Sequence, residues 1–207
     1  MLSDQEMLQI CRKYDIQCPM CDTTKDFYRL KRDMVRPQKS EGDGHPTEFK
    51  WGKAGFDSVD PKQFFFGVCP KCRFTGELDD ADFRQASKNV DAFRSNYSPE
   101  ALRQHLTFSA TGKGLTHSLG SLTEDTDPLV KVMAQFFLGI YSQCLRQRII
   151  HGNVARYYLR IAWLCRDLER FYPGADLEAA AARFSKVRKR WQKGIPENKD
   201  YPAVPKL

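Results

Sequence analysis

From Pro128 onward the apolar residues recur at intervals of three and four, the spacing that gathers them on one face of an α-helix. Leu129, Met133, Phe136, Phe137, Ile140, Cys144 and Leu145 form the first stripe, opened by Asp127-Pro128 and turned at His151-Gly152-Asn153. Val154, Tyr157, Tyr158, Ile161, Leu164, Cys165, Leu168 and Phe171 form a second, broad enough to meet two neighbours, and Pro173-Gly174 ends it. A third runs from Asp176 to about Lys193 on Leu177, Ala180, Ala181, Phe184, Val187 and Trp191. Very short turns between them predict an antiparallel helical hairpin extended by a further helix, with Cys144 and Cys165 in its core.

The amino-terminal half is patterned differently. Ser3-Asp4-Gln5-Glu6 is a capping box, with Leu2 and Met7 placed as its hydrophobic staple, and predicts a helix to about Lys13 on which Cys11 is a buried thiol. Phe27 to Val35, Thr47 to Trp51 and Gln63 to Val68 read as strands; Gln38 to Pro46, with Gly42, Gly44 and Pro46 among charges, reads as an exposed loop carrying a solvated His45. Asp79, Asp80 and Asp82 suit the positive end of a helix reaching Phe93, and Ser98-Pro99-Glu100 opens a shorter one to about Leu106. Thr107 to Asp127 contains Gly112, Gly114 and Gly120 without a clear period and is expected to be a linker, with His105 and His117 as surface residues. Its Thr111-Gly112-Lys113-Gly114 lacks the order of a phosphate loop, and no strand leads into it.

The composition, 41% hydrophobic over 207 residues, is sufficient for a real core and excludes wholesale disorder. No run approaches the roughly 18 consecutive apolar residues of a membrane span. The first residues do not combine a basic segment with an apolar one, so a cytoplasmic location is expected. The net charge of +7 is unevenly divided: 18 basic and 20 acidic residues up to Pro128, then 15 and 6 beyond it.

An odd count of seven cysteines makes a poor disulfide framework, and four are paired by spacing: Cys18-Pro19-Met20-Cys21 and Cys69-Pro70-Lys71-Cys72. A C-x-x-C turn sets two sulfurs on one side of a tight bend. Two such turns facing each other supply the four thiolates of a tetrahedral zinc site. Proline after each first cysteine fixes the backbone where it bends. A redox dithiol is the competing reading, but it needs no second copy and no βαβ pattern surrounds either pair. The predicted cofactor is therefore one structural zinc ion per chain on Cys18, Cys21, Cys69 and Cys72. With four thiolates available, His45 is not needed as a ligand. The 47 residues between Cys21 and Cys69 exceed a compact ribbon and must fold as an insertion.

The first knuckle, the run Asp57 to Val68 entering Cys69-Pro70-Lys71-Cys72, and the helix Tyr157 to Arg166 together resemble an uncharacterised bacterial family known as a domain of unknown function. Its members join an N-terminal C-P-x-C…C-P-x-C module to helices similar to tetratricopeptide repeats. The resemblance covers about Tyr14 to Phe171 and implies an architecture and an interaction surface, not a reaction. One departure concerns turn tightness: the glycine often found after the second cysteine is Asp22 in one knuckle and Arg73 in the other.

The expected fold class is α+β. A small zinc-ribbon-like module with flanking short helices spans 1–96, a short helix and linker 97–127, a tetratricopeptide-like helical region 128–193 and an extended tail 194–207. One helix pair is too little for a free-standing solenoid, so the hairpin must pack on the zinc module or on another subunit. On the last helix Arg183, Lys186, Arg190 and Lys193, flanked by Arg188 and Lys189, form a basic stripe, either a solvated face or a contact for nucleic acid or an acidic partner. Three functions are in play: a non-enzymatic interaction or scaffold module that binds a protein partner or itself, a nucleic-acid-binding regulator, and a metal-dependent enzyme.

Overall fold

The structure, a computed structural model, describes residues 2–80, 83–84, 89–112 and 114–194, with side chains to residue 189. Asp82, Lys113, the tail beyond Gly194 and the side chains of Arg190, Trp191 and Lys193 lie outside the described residues. The chain is α+β, with small antiparallel strand pairs first and helices after.

Helix α1 (Asp4–Ile10) begins with the expected capping box: Ser3 N–H donates to Glu6 Oε2 at 2.7 Å and Glu6 N–H to Ser3 Oγ at 3.3 Å. It stops short of Lys13 because Cys11 is extended and starts β1 (Cys11–Gln17). The ammonium of Lys31 donates to the carbonyls of Leu8 and Gln9 at 2.8 Å each, closing the helix end that the backbone leaves unpaired. β1 pairs with β2 (Thr24–Leu30) from Cys11↔Leu30 to Gln17↔Thr24. Only Ile10, Cys11 and Ile16 of the stretch from Ile10 to Gln17 are buried, so β1 has no alternation to read. β3 (Val35–Ser40) and β4 (Pro46–Trp51) form a second hairpin across the stretch expected to be a loop, with a register shift beside Pro37, which lacks a ladder donor. A 3-10 turn (Pro61–Phe64) leads into β5 (Phe66–Val68), which pairs with β6 (Thr75–Glu77).

The helices are α2 (Val90–Arg94), α3 (Pro99–Thr111), α4 (Leu115–Leu122), α5 (Pro128–Cys144), α6 (His151–Arg166), α7 (Leu168–Phe171) and α8 (Leu177–Gly194). The stretch read as a linker is thus mostly helical. Its glycines have other work: Gly112, at φ 64°, closes α3 in the left-handed region, and a Cβ on Gly120 would stand 2.7 Å from the Arg73 side chain. Leu115 and Leu119 of α4 are buried against α5. The turn between α5 and α6 falls at 145–150, and His151 begins the second helix instead of ending the first. Asp167 then separates α6 from α7.

α5 is the centre of the larger core, with Leu129, Val130, Ala134, Phe136 and Leu138 fully buried among α4, α6 and α8. The helical hairpin does not stand alone. Phe66 of β5 packs edge-on to Phe136 and Tyr157 at 5.0 Å, and Ser142 Oγ accepts the Thr75 N–H of β6 at 3.0 Å. α8 lies against α4 and sets Phe184 5.0 Å from Phe137. A second core surrounds the cysteines, and a third lies between α1 and the β3–β4 hairpin.

Candidate metal centre

The two knuckles are built alike. Cys18 N–H bonds the carbonyl of Thr23 at 2.8 Å and Cys69 N–H that of Phe74 at 2.9 Å; Asp22 N–H returns to Cys18 O at 2.9 Å and Arg73 N–H to Cys69 O at 3.0 Å. Asp22 and Arg73 take φ of 60° and 61°, so each turn keeps the left-handed conformation without glycine. That strain is on the order of 1 kcal/mol per residue, and each turn is tied to a later part of the chain. Arg94 of α2 donates to the Pro19 carbonyl at 2.6 Å and to Asp22 at 3.1 Å; Arg73 pairs with Glu124 at 2.8 Å.

The turns face each other. Sγ of Cys18 lies 3.6 Å from that of Cys72, Cys21 lies 3.5 Å from Cys69, and all four sulfurs fall within 4.8 Å of one another. A tetrahedron of Zn–S bonds of about 2.3 Å has edges of about 3.8 Å; the four thiols therefore fit a metal ion of that kind. Cys18, Cys69 and Cys72 are buried and Cys21 half-buried, against a wall of Ile16, Met20, Phe74, Phe93 and Tyr97. Sulfurs this close cannot share protons equally. Bonds from Cys18 and Cys72 lower Cys69 to about 2, while Cys18 is raised by its bond to Cys69 and Cys72 by its bonds to Cys18 and Cys69. Cys69 Sγ also receives the Cys72 N–H at 3.5 Å, a donor suited to a thiolate. Among the described residues no other group of three or more Cys, His or carboxylate side chains converges in this way.

Two of the three histidines expected at the surface, His45 and His105, are buried. His45 is 3% exposed, with Nδ1 3.0 Å from Glu41 and Nε2 3.0 Å from Asp167. Each ring nitrogen thus faces a carboxylate. Asp167 also accepts from Lys62 Nζ at 2.7 Å; Lys62 reaches Asp60 at 3.1 Å, and the Tyr172 hydroxyl donates to Asp60 at 2.7 Å. Apart from Glu41, these side chains are buried, and burial followed by the Asp60 charge raises the Tyr172 phenol. Arg166 closes the outer rim on Glu41 at 2.8 Å and Asp43 at 2.6 Å. Sequence reasoning missed this cluster. Its one local trace is Asp167, a charge set inside an apolar stripe.

His105 of α3 is fully buried between Phe74 and Tyr141, neither ring nitrogen has a hydrogen-bond partner, and burial lowers its pKa to about 4. The expectation failed because α3 continues past Leu106 and turns this face onto the cysteine core. His117 is exposed. Cys11 is buried as expected and raised to about 12, whereas Cys144 and Cys165 are only half-buried. On α8, Lys186, Arg188 and Lys189 are exposed, but Arg183 is half-buried and paired with Asp125. Asp79 pairs with Arg29, and Asp80 accepts the Phe83 N–H at 3.4 Å.

An α+β chain in which two hairpin knuckles close four thiols into one group able to hold a metal ion defines a cysteine-cluster module joined to helices. The chain belongs to the family described as an uncharacterised protein conserved in bacteria (DUF2225), whose family model matches residues 11–199. No curated protein and no solved structure matches the chain. No helix among the described residues is long and apolar enough to cross a membrane.

Proposed function

We propose that the protein is a non-enzymatic interaction module in which one structural zinc ion on Cys18, Cys21, Cys69 and Cys72 holds the knuckles, and the tetratricopeptide-like helices present the binding face. The zinc reading is supported by the donor set: four sulfurs complete a tetrahedron and leave no position for a substrate. The observation that carries the interaction reading is the outward face of α6, where Leu159 is 38% exposed between Ala155 and Ala162, one turn away on either side and both exposed. Ile150, at the start of the helix, is 43% exposed. The partner is another protein or a second copy of this chain. Light scattering on the purified chain, with cross-linking in the native cell, tests it: a defined complex should form and be lost in Leu159→Glu without loss of helicity. A lone monomer that cross-links to nothing overturns the reading.

A second reading uses α8. Exposed Lys186, Arg188 and Lys189 would contact nucleic acid, with Arg190 and Lys193 continuing the stripe and Arg183 held back by Asp125. Affinity should then fall steeply with salt and fail when Lys186, Arg188 and Lys189 become Ala. Salt-insensitive binding removes it.

A further inference from the structure

The hairpins that carry the knuckles leave two strand edges open toward one groove. In the β1–β2 ladder Lys31 N–H bonds Ile10 O at 2.9 Å and Cys18 N–H bonds Thr23 O at 2.8 Å. Antiparallel pairing alternates, so the odd-numbered residues of β2 bond β1, and the main-chain groups of Asp26 and Tyr28 point the other way. In the β5–β6 ladder Leu78 N–H bonds Phe65 O and Cys69 N–H bonds Phe74 O, both at 2.9 Å. The same alternation turns Phe66 and Val68 of β5 away from β6. Among the described residues no further main-chain bond reaches these four. The far edge of β6 is treated differently, since Ser142 caps its Thr75 N–H at 3.0 Å.

Asp26, Tyr28, Phe66 and Val68 all line a cleft of ≈ 380 Å³. It shares Met7, Tyr28, Gln63 and Gln135 with a second cleft of ≈ 500 Å³, so the two form one groove from the second knuckle to α1. Oε1 of Gln135, in the shared stretch, is buried without a partner, and Phe66 is 4% exposed. Buried peptide and amide groups are nearly always paired. Two strand edges and the Gln135 side chain line one slot and match the donors and acceptors of one more extended chain. Charge orients it. At the knuckle end Arg73 is paired with Glu124 and Asp26 with Lys13, whereas the exposed carboxylates of Asp4 and Glu6 outnumber Lys131 at the α1 end.

We propose that this groove binds an extended polypeptide segment of a partner protein, held through its main chain by the edges of β2 and β5, with a basic side chain at the α1 end. The groove is separate from the outward face of α6, so either surface can fail without the other.

The test is selection of phage-displayed random peptides of about twelve residues on the full chain, followed by synthesis of the best binder. Binding should weaken at least about 10-fold, the order of one good hydrogen bond, in Gln135→Ala and in Tyr28→Pro. The latter removes an edge N–H that β1 does not use. Methylating alternate amides of the peptide should abolish binding. Hydrogen exchange at Asp26, Tyr28, Phe66 and Val68 should be fast in the free chain and slowed by the peptide. The proposal is overturned if no peptide is enriched, if both folded variants bind as the parent does, or if those four amides are already protected in the free chain.

Discussion

The cysteine centre joins residues 18–21 to 69–72, and the Lys62 cluster joins residues 41–45 and 60–62 to 167–172. Both are buried and polar, and both fasten segments far apart in the chain. They differ in how each half is prepared. A knuckle is complete by itself: a strand, a proline, a left-handed turn and two sulfurs already on one side. The Lys62 cluster has no prepared half, since Asp60, Lys62, His45 and Asp167 acquire compatible surroundings only when hairpin and helices meet. The energetic logic differs too. Burying isolated charges is costly and is tolerated where every one is paired, which Lys62, Asp60 and Asp167 all are. A metal supplies net folding free energy outright.

The largest effect is expected from the cysteines. Metal analysis should find close to one zinc per chain, largely lost in Cys69→Ser, with stability falling on the order of 10 kcal/mol, enough to unfold the module; full stoichiometry in the variant would refute the four-cysteine site. Next comes Asp167→Ala, which strips Lys62 and His45 of their shared carboxylate and should cost about 3–5 kcal/mol in denaturant unfolding. Its metal content should stay at the parent value if the two centres are independent, and a loss below about 1 kcal/mol would show that the cluster is not a fastening.

His105 separates burial from metal binding. Its pKa, lowered from 6.5 to about 4, means that the unfolded chain takes up the proton first as the solution is acidified. Stability is therefore complete above pH 6.5 and declines as pH falls toward 4, by up to about 3 kcal/mol. His105→Phe should flatten that part of the profile relative to the parent measured alongside; parallel profiles would refute the assignment. The smallest effect concerns the support of the first knuckle. Arg94→Ala removes the bonds to Pro19 and Asp22 and should cost about 1 kcal/mol, read as a small shift in unfolding midpoint with metal retained.

Legibility followed the same division. The three long helices could be read because α5, α6 and α8 repeat apolar residues at helical spacing, and Ser3, Ser98 and Asp127 announce the starts of α1, α3 and α5 in neighbouring residues. Linker was expected where α4 lies because Gly114 and Gly120 suggest looseness locally, although Gly120 is required by the approach of Arg73 from another element. β1 was invisible because its burial is set by what covers it, not by alternation, and β3 because Pro37 and Lys39 mark an irregular edge.

By itself, then, the sequence determined the four clustered thiols, the helical hairpin, the α+β class and the basic bias of the last helix. These depend on spacings of a few residues, which local backbone geometry converts directly into shared faces and turns. Tertiary structure alone decided that His45 and His105 are buried, that Arg183 is occupied by Asp125, that Lys62 lies between two aspartates, and that two strand edges face one groove. Each of those facts is a meeting of groups with no preferred separation along the chain, fixed by burial and hydrogen bonding only after the elements have packed.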